Sequence, residues 1–108
     1  MSKIVVTETS NGQALEVNPG DVVAVHLPEN PTSGYVWDID GVDDQTLQFT
    51  QTDFIPNVPS RIGAGGTRVM DFRAIKPGMA HLQLKMWRPW EGNVSATNHF
   101  AVAVHVCD

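Results

Sequence analysis

The sequence predicts an all-β fold, a sandwich of two packed antiparallel sheets with about seven to eight strands, and three observations carry that prediction. Turn signals recur at short, fairly even intervals, the segments between them alternate apolar and polar residues with a period of two, and no stretch has the spacing of an amphipathic helix. With 108 residues, 42% of them hydrophobic and 18% charged, the chain has the length and apolar content of one domain, residues 1–108, and too little for two.

Residues 3–7 read as a first strand and residues 14–17 as a short second piece, ended by the turn signal Asn18-Pro19-Gly20-Asp21. Residues 22–27 follow as a strand, and residues 28–34 as a loop. Asn30-Pro31 starts a turn there, because proline fixes its own φ and holds the preceding residue extended, while Gly34 can take a positive φ at little cost. Tyr35, Trp37 and Ile39 share one parity, so all three are expected to point into the core, with Val36 and Asp38 pointing away. That strand, residues 35–39, is expected to break at Asp40-Gly41 and Asp43-Asp44.

Residues 46–54 form a weaker strand. Residues 55–66 hold Pro56, Pro59, Gly63, Gly65 and Gly66, a density of breakers that reads as a long loop. Alternation resumes over residues 67–75, with Met70, Phe72 and Ala74 on one face and Asp71 and Arg73 on the other, until Lys76-Pro77-Gly78 ends it in a tight turn. Residues 79–87 place Leu82, Leu84 and Met86 inward and His81, Gln83 and Lys85 toward water. Pro89 stops pairing after that. Residues 95–106 close the chain with Phe100, Val102, Val104 and Val106 inward, and His99, Ala101, Ala103 and His105 outward.

This many strands without a helix matches an immunoglobulin-like sandwich, in which loops two connections apart gather at the same end. With the strands from residue 22 onward lettered B to G, the BC loop carries Asn30-Pro31-Thr32-Ser33-Gly34-Tyr35, the DE loop Arg61-Ile62-Gly63-Ala64-Gly65-Gly66-Thr67, and the FG loop Arg88-Pro89-Trp90. These three share one end. The tight turns at residues 18–21, 40–44 and 76–78 fall at the other.

A net charge of −5 and the absence of basic runs argue against nucleic acid or an anionic membrane as partner. The first eight residues contain no apolar run long enough for a signal segment or a membrane span. The chain as written is therefore expected to be soluble and cytoplasmic, or periplasmic or secreted if a leader was removed. Cys107 is the single cysteine, so packing alone must stabilise the fold, and with no general-base pattern beside it the thiol has no catalytic reading. A monomer is expected.

Enzyme and cofactor signals fail one by one. His99 and His105 share a strand face but lie roughly 20 Å apart at ~3.3 Å per residue, and His26 and His81 lie on other strands without clustered carboxylates or cysteines, so no metal is expected. Ser33 lacks the Gly-x-Ser-x-Gly context of a nucleophile elbow. Gly63-Ala64-Gly65-Gly66 is followed by no Lys-Ser/Thr and opens a strand, where a phosphate loop would open a helix. No cofactor and no catalytic residue are expected. Trp90 is left without a core role on a short proline-containing loop, and exposed aromatic and arginine side chains on loops dominate binding hot spots. The residues alone favour a binding module presenting three neighbouring loops, an adhesion or ligand-binding domain among the possibilities.

Asn30-Pro31-Thr32-Ser33-Gly34-Tyr35 with Trp37, then Gly63-Ala64-Gly65-Gly66-Thr67, then Arg88-Pro89-Trp90, in that order and spacing, resembles the chagasin-like inhibitors of papain-family cysteine peptidases. The likeness covers nearly the full chain. It implies a reversible, tight-binding inhibitor, not an enzyme, whose three loops plug the cleft of a C1-type peptidase, papain-like or cathepsin L-like. It also implies that residues 30–34 approach the target's catalytic cysteine and histidine, that residues 63–67 run along the cleft, and that Trp90 stacks on an aromatic at its far side with its pose set by Arg88 and Pro89. Tyr35, Arg61 and Ile62 complete the implied contact set. The family commonly has threonine where this chain has Ser33, which keeps the hydroxyl and loses a methyl worth under ~1 kcal/mol if buried.

Overall fold

The structure, a computed structural model, describes residues 2–57 and 65–108. Among the described residues there are eight strands, β1 (Lys3–Thr7), β2 (Ala14–Val17), β3 (Val22–Glu29), β4 (Val36–Val42), β5 (Leu47–Pro56), β6 (Gly66–Ala74), β7 (Gly78–Trp87) and β8 (Asn98–Val106). One sheet has the order β1-β3-β6-β5 and the other β2-β8-β7-β4. The helical content described is limited to three-residue 3-10 turns at Glu8–Ser10, Pro31–Ser33, Pro89–Glu91 and Asn93–Ser95.

Period-two alternation does what it should. Val23, Val25 and Leu27 of β3, Met70, Phe72 and Ala74 of β6, Leu82 and Leu84 of β7, and Phe100, Val102, Val104 and Val106 of β8 are buried between the sheets. Fully burying a valine, leucine or phenylalanine contributes about 1.5–3 kcal/mol, so these central strands carry the stability that a disulfide supplies in other small domains. Trp37 enters the same core from β4.

The all-β sandwich is as expected, but the sheets are mixed. β1 pairs with β3 and β2 pairs with β8 in parallel, while the other four strand pairs are antiparallel. The cause is topological: β2 lies in the opposite sheet, so two chain reversals separate β1 from β3, and the two become neighbours pointing the same way.

Several strand ends also differ from expectation. β3 runs on through Pro28 and Glu29, pairing Pro28 with Thr67 and Glu29 with Gly66. A proline fits there because β1 pairs with β3 only as far as His26, which leaves that flank of the strand an edge. β4 continues past Asp40-Gly41 to Val42 by absorbing a bulge between Ile39 and Gly41. Ile55, Pro56 and Gly66, expected in a long loop, pair as Ile55 with Thr67 and Pro56 with Gly66, Pro56 being tolerated on the edge strand β5. β8 begins at Asn98, not at residue 95, because Asn93–Ser95 winds into a 3-10 turn.

Some side chains reverse their expected surroundings. Asp71, expected to face water, is buried; a register shift between Phe49 and Gln51 sets Gln51 opposite it, and the Gln51 amide donates to its carboxylate at 2.9 Å. Tyr35 has the parity of Trp37 but precedes the start of β4, beyond the core cluster, and is half-buried under a side chain from another loop.

Candidate functional site

The strand pairings bring the β3–β4 and β7–β8 connections, and the strand ends at Pro56 and Gly66, to one pole. Glu29, at the end of β3, pairs with Gly66 at the start of β6, and Val36, at the start of β4, pairs with Trp87 at the end of β7. The β3–β4 connection therefore starts beside Gly66 of β6 and ends beside Trp87, where the β7–β8 connection begins. Asn57 donates its backbone N–H to the Gly65 carbonyl at 3.0 Å, closing the base of the β5–β6 connection. Arg61, Ile62, Gly63 and Ala64 lie outside the described residues.

The β3–β4 connection is a tightly bonded turn. Asn30 caps the 3-10 turn Pro31–Ser33: its side-chain Oδ1 accepts from the Thr32 N–H at 3.1 Å and from the Thr32 hydroxyl at 2.7 Å. The Ser33 hydroxyl donates to the Asn30 carbonyl at 2.7 Å and accepts from the Tyr35 N–H at 3.2 Å. Gly34 closes the turn at φ +83°, in the left-handed region that glycine occupies without a Cβ penalty. The asparagine, the two hydroxyls and the glycine of the motif thus each have a local job in fixing its shape.

The β7–β8 connection leans on that turn. The Arg88 guanidinium sits 4.4 Å over the Tyr35 ring and donates to the Ser33 carbonyl at 3.2 Å. A partly exposed contact of this cation–π kind is worth about 0.5–1 kcal/mol. Ser95, buried, ties the loop to itself: its hydroxyl contacts the Gly92 carbonyl at 2.7 Å and the Arg88 carbonyl at 3.1 Å and accepts from the Arg88 N–H at 2.9 Å. Trp90, at 70% exposure, rides on top of Gly34. Its exposure agrees with the sequence expectation that it is not a core residue.

Several participants were not foreseen. Glu29 and Arg68 form an ion pair at 2.7 Å beneath the pole, with the glutamate side chain fully buried and the arginine 21% exposed. Both have the parity of core residues on their strands, Leu27 and Met70, and opposite charges on two inward faces are the signal that could have found them. Lys85, expected to face water, is buried with its Nζ 3.8 Å from the Trp87 ring and 2.6 Å from Asn93 Oδ1. It fastens the far side of the β7–β8 connection to the outer face of β7. No group of three metal-ligating side chains comes together among the described residues.

The described pole is built from pre-bonded turns and topped by an exposed tryptophan. The model of the Chagasin family peptidase inhibitor I42 matches residues 16–104, and the chain belongs to that family, whose members inhibit cysteine proteases and are not enzymes. It is 30% identical over 101 residues to chagasin of Trypanosoma cruzi, covering 90% of this chain and 92% of that protein. Amoebiasin-2 of Entamoeba histolytica is 27% identical over 89 residues, covering 81% and 72%. In structure, the chain is similar to a cysteine protease inhibitor of Entamoeba histolytica at a TM-score of 0.84 and 23% identity, over 98% of this chain and 96% of that one. A further structure of the same fold, at a TM-score of 0.65 and 18% identity over 96% and 88% of the two chains, is of an inhibitor in complex with falcipain-2.

Proposed function

We propose that this chain, acting as a single domain, inhibits C1-type papain-like cysteine peptidases reversibly by seating the pole described above in their active-site cleft. The observation that carries this reading is the placement of exposed Trp90 on Gly34, which joins the β3–β4 and β7–β8 connections into one surface. In this reading Asn30, Pro31, Thr32, Ser33, Gly34 and Tyr35 make the central contacts, Arg88, Pro89 and Trp90 those of one flank and Gly65, Gly66 and Thr67 those of the other, with Arg61, Ile62, Gly63 and Ala64, outside the described residues, assigned to the contact set from the sequence resemblance. Loops seated in a concave cleft can bury a standard ~800 Å² per partner. Because the described turns are already bonded in the free protein, little ordering entropy opposes binding, which is how modest area gives tight affinity. No covalent step by the inhibitor is involved.

Titration of papain and a cathepsin L-like enzyme with the purified chain tests this. One equivalent of inhibitor per active peptidase, with activity recovered on dilution and the inhibitor uncut, is the expected result. Full peptidase activity at excess inhibitor across the panel would instead leave an immunoglobulin-like adhesion or ligand-binding module using the same loops.

A further inference from the structure

The geometry points to Glu29 and Arg68 as a positioning pair that fixes the start of the β3–β4 connection at Asn30 relative to Gly65 and Gly66 at the start of β6, and this rests on the inhibitor reading above. The Glu29 carboxylate is buried where the two sheets meet beneath the pole. Its Oε1 accepts from Arg68 Nε at 3.1 Å and from Arg68 Nη2 at 2.7 Å, within one sheet; its Oε2 accepts the backbone N–H of Trp37 at 2.8 Å, in the other. A second bond crosses nearby, from Trp37 Nε1 to the Pro28 carbonyl at 2.8 Å. One carboxylate thus joins three strands, β3, β4 and β6.

What those strands carry makes the junction more than a core contact. Glu29 immediately precedes Asn30, the cap of the first turn, and pairs with Gly66, which opens β6 after the second connection. The Gly66 side of that pair cannot adjust by growing a side chain, because a Cβ there would collide with the Ile55 carbonyl, the Phe54 ring and Pro56. Arg68 is held in place by the Phe54 ring, 5.6 Å from its guanidinium carbon, and by Thr52 Oγ1 at 3.4 Å. A buried ion pair is weak support for stability, since desolvation offsets its attraction, but it admits only one arrangement of the groups that satisfy it. Removing one partner would let Asn30 and the start of β6 sample several spacings, and only the fraction in the competent spacing would bind.

The test uses Glu29→Gln, which keeps an acceptor for Trp37 and removes the charge facing Arg68, with Arg68→Gln and Arg68→Lys. Inhibition of papain is measured well below each variant's melting transition, together with the amide resonances of Asn30, Gly34 and Gly65 in the free protein. A rise of about tenfold or more in the inhibition constant for Glu29→Gln and Arg68→Gln, partial recovery in Arg68→Lys, and displaced resonances at Asn30, Gly34 and Gly65 are expected. Unchanged inhibition constants in folded variants, with only the melting temperature lowered, would overturn the proposal. If Glu29→Gln does not fold, the two Arg68 variants decide by the same criteria. If the unaltered chain inhibits no peptidase, the inhibitor reading alone fails, and the resonances decide: displacement at Asn30, Gly34 and Gly65 together supports the pair, and undisturbed resonances there refute it.

Discussion

The Trp90 indole occupies the space that a side chain on Gly34 would need. A Cβ built on Gly34 would lie 2.8 Å from Trp90 Cη2 and 3.1 Å from Cζ2, so the absence of a side chain at one residue is what seats the aromatic of a loop far along the chain. The motif glycine is therefore required twice, for its φ of +83° and for this contact.

Gly34→Ala should accordingly cost more in inhibition than in stability. The left-handed backbone alone costs a non-glycine residue about 1–2 kcal/mol, while the displaced indole should weaken peptidase binding beyond that amount. Parallel thermal melts and inhibition constants check this. Equal losses in both would mean that the Trp90 contact does not matter to binding.

Trp90→Ala should separate the two quantities most cleanly. At 70% exposure the ring contributes little to folding, so the melting temperature should stay nearly constant while binding weakens by about 1–3 kcal/mol, as for an interface anchor. Calorimetric melting alongside inhibition kinetics reads both, and a large drop in melting temperature would contradict the exposed placement.

Trp37→Ala should do the opposite. Trp37 is buried at 8% exposure, and its ring N–H donates across the sheets to the Pro28 carbonyl, so truncation leaves a cavity and an unpaired carbonyl. A loss of about 3–5 kcal/mol in unfolding free energy by denaturant titration is expected. A thermally silent variant would be incompatible with this core.

Acid stability should depend on Asp21, at the pole opposite the loops. Backbone N–H groups of Asn18 and Ser2, each at 2.9 Å, hold its carboxyl below the usual aspartate range. A carboxyl whose folded pKa is lowered stabilises the fold fully above its unfolded value of about 3.9 and loses that stabilisation as pH falls through the folded value. Melting temperatures taken from neutral pH down to about pH 2 should therefore fall less steeply over that acid range in Asp21→Asn than in the unaltered chain. Parallel curves would show that Asp21 is not the group responsible.

Much of this architecture was legible in the sequence because it depends on local pattern. The inward sets on β6, β7 and β8 follow from parity alone, and the meeting of the β3–β4 and β7–β8 connections at one pole follows from alternating strand direction. Trp90 stood out because nothing in its neighbourhood offered it a core. Features that depend on which strand neighbours which were not legible. The parallel pairing of β1 with β3 requires knowing that β2 crosses to the other sheet, and the burial of Asp71 requires a bulge in β5 that no residue type announces. Glu29 looked like a loop residue because Pro28 before it read as the end of a strand. Tyr35 had the right parity for the core, but its position before β4 places it under Arg88.

Hydrogen exchange on the one-to-one complex with papain tests the central claim most directly. Slowed exchange confined to residues 30–35, 58–67 and 88–95, with residues 40–46 and 75–78 at the opposite pole unchanged, is the predicted footprint. Protection centred on the opposite pole, or on the outer face of either sheet with the Trp90 connection unaffected, would contradict it.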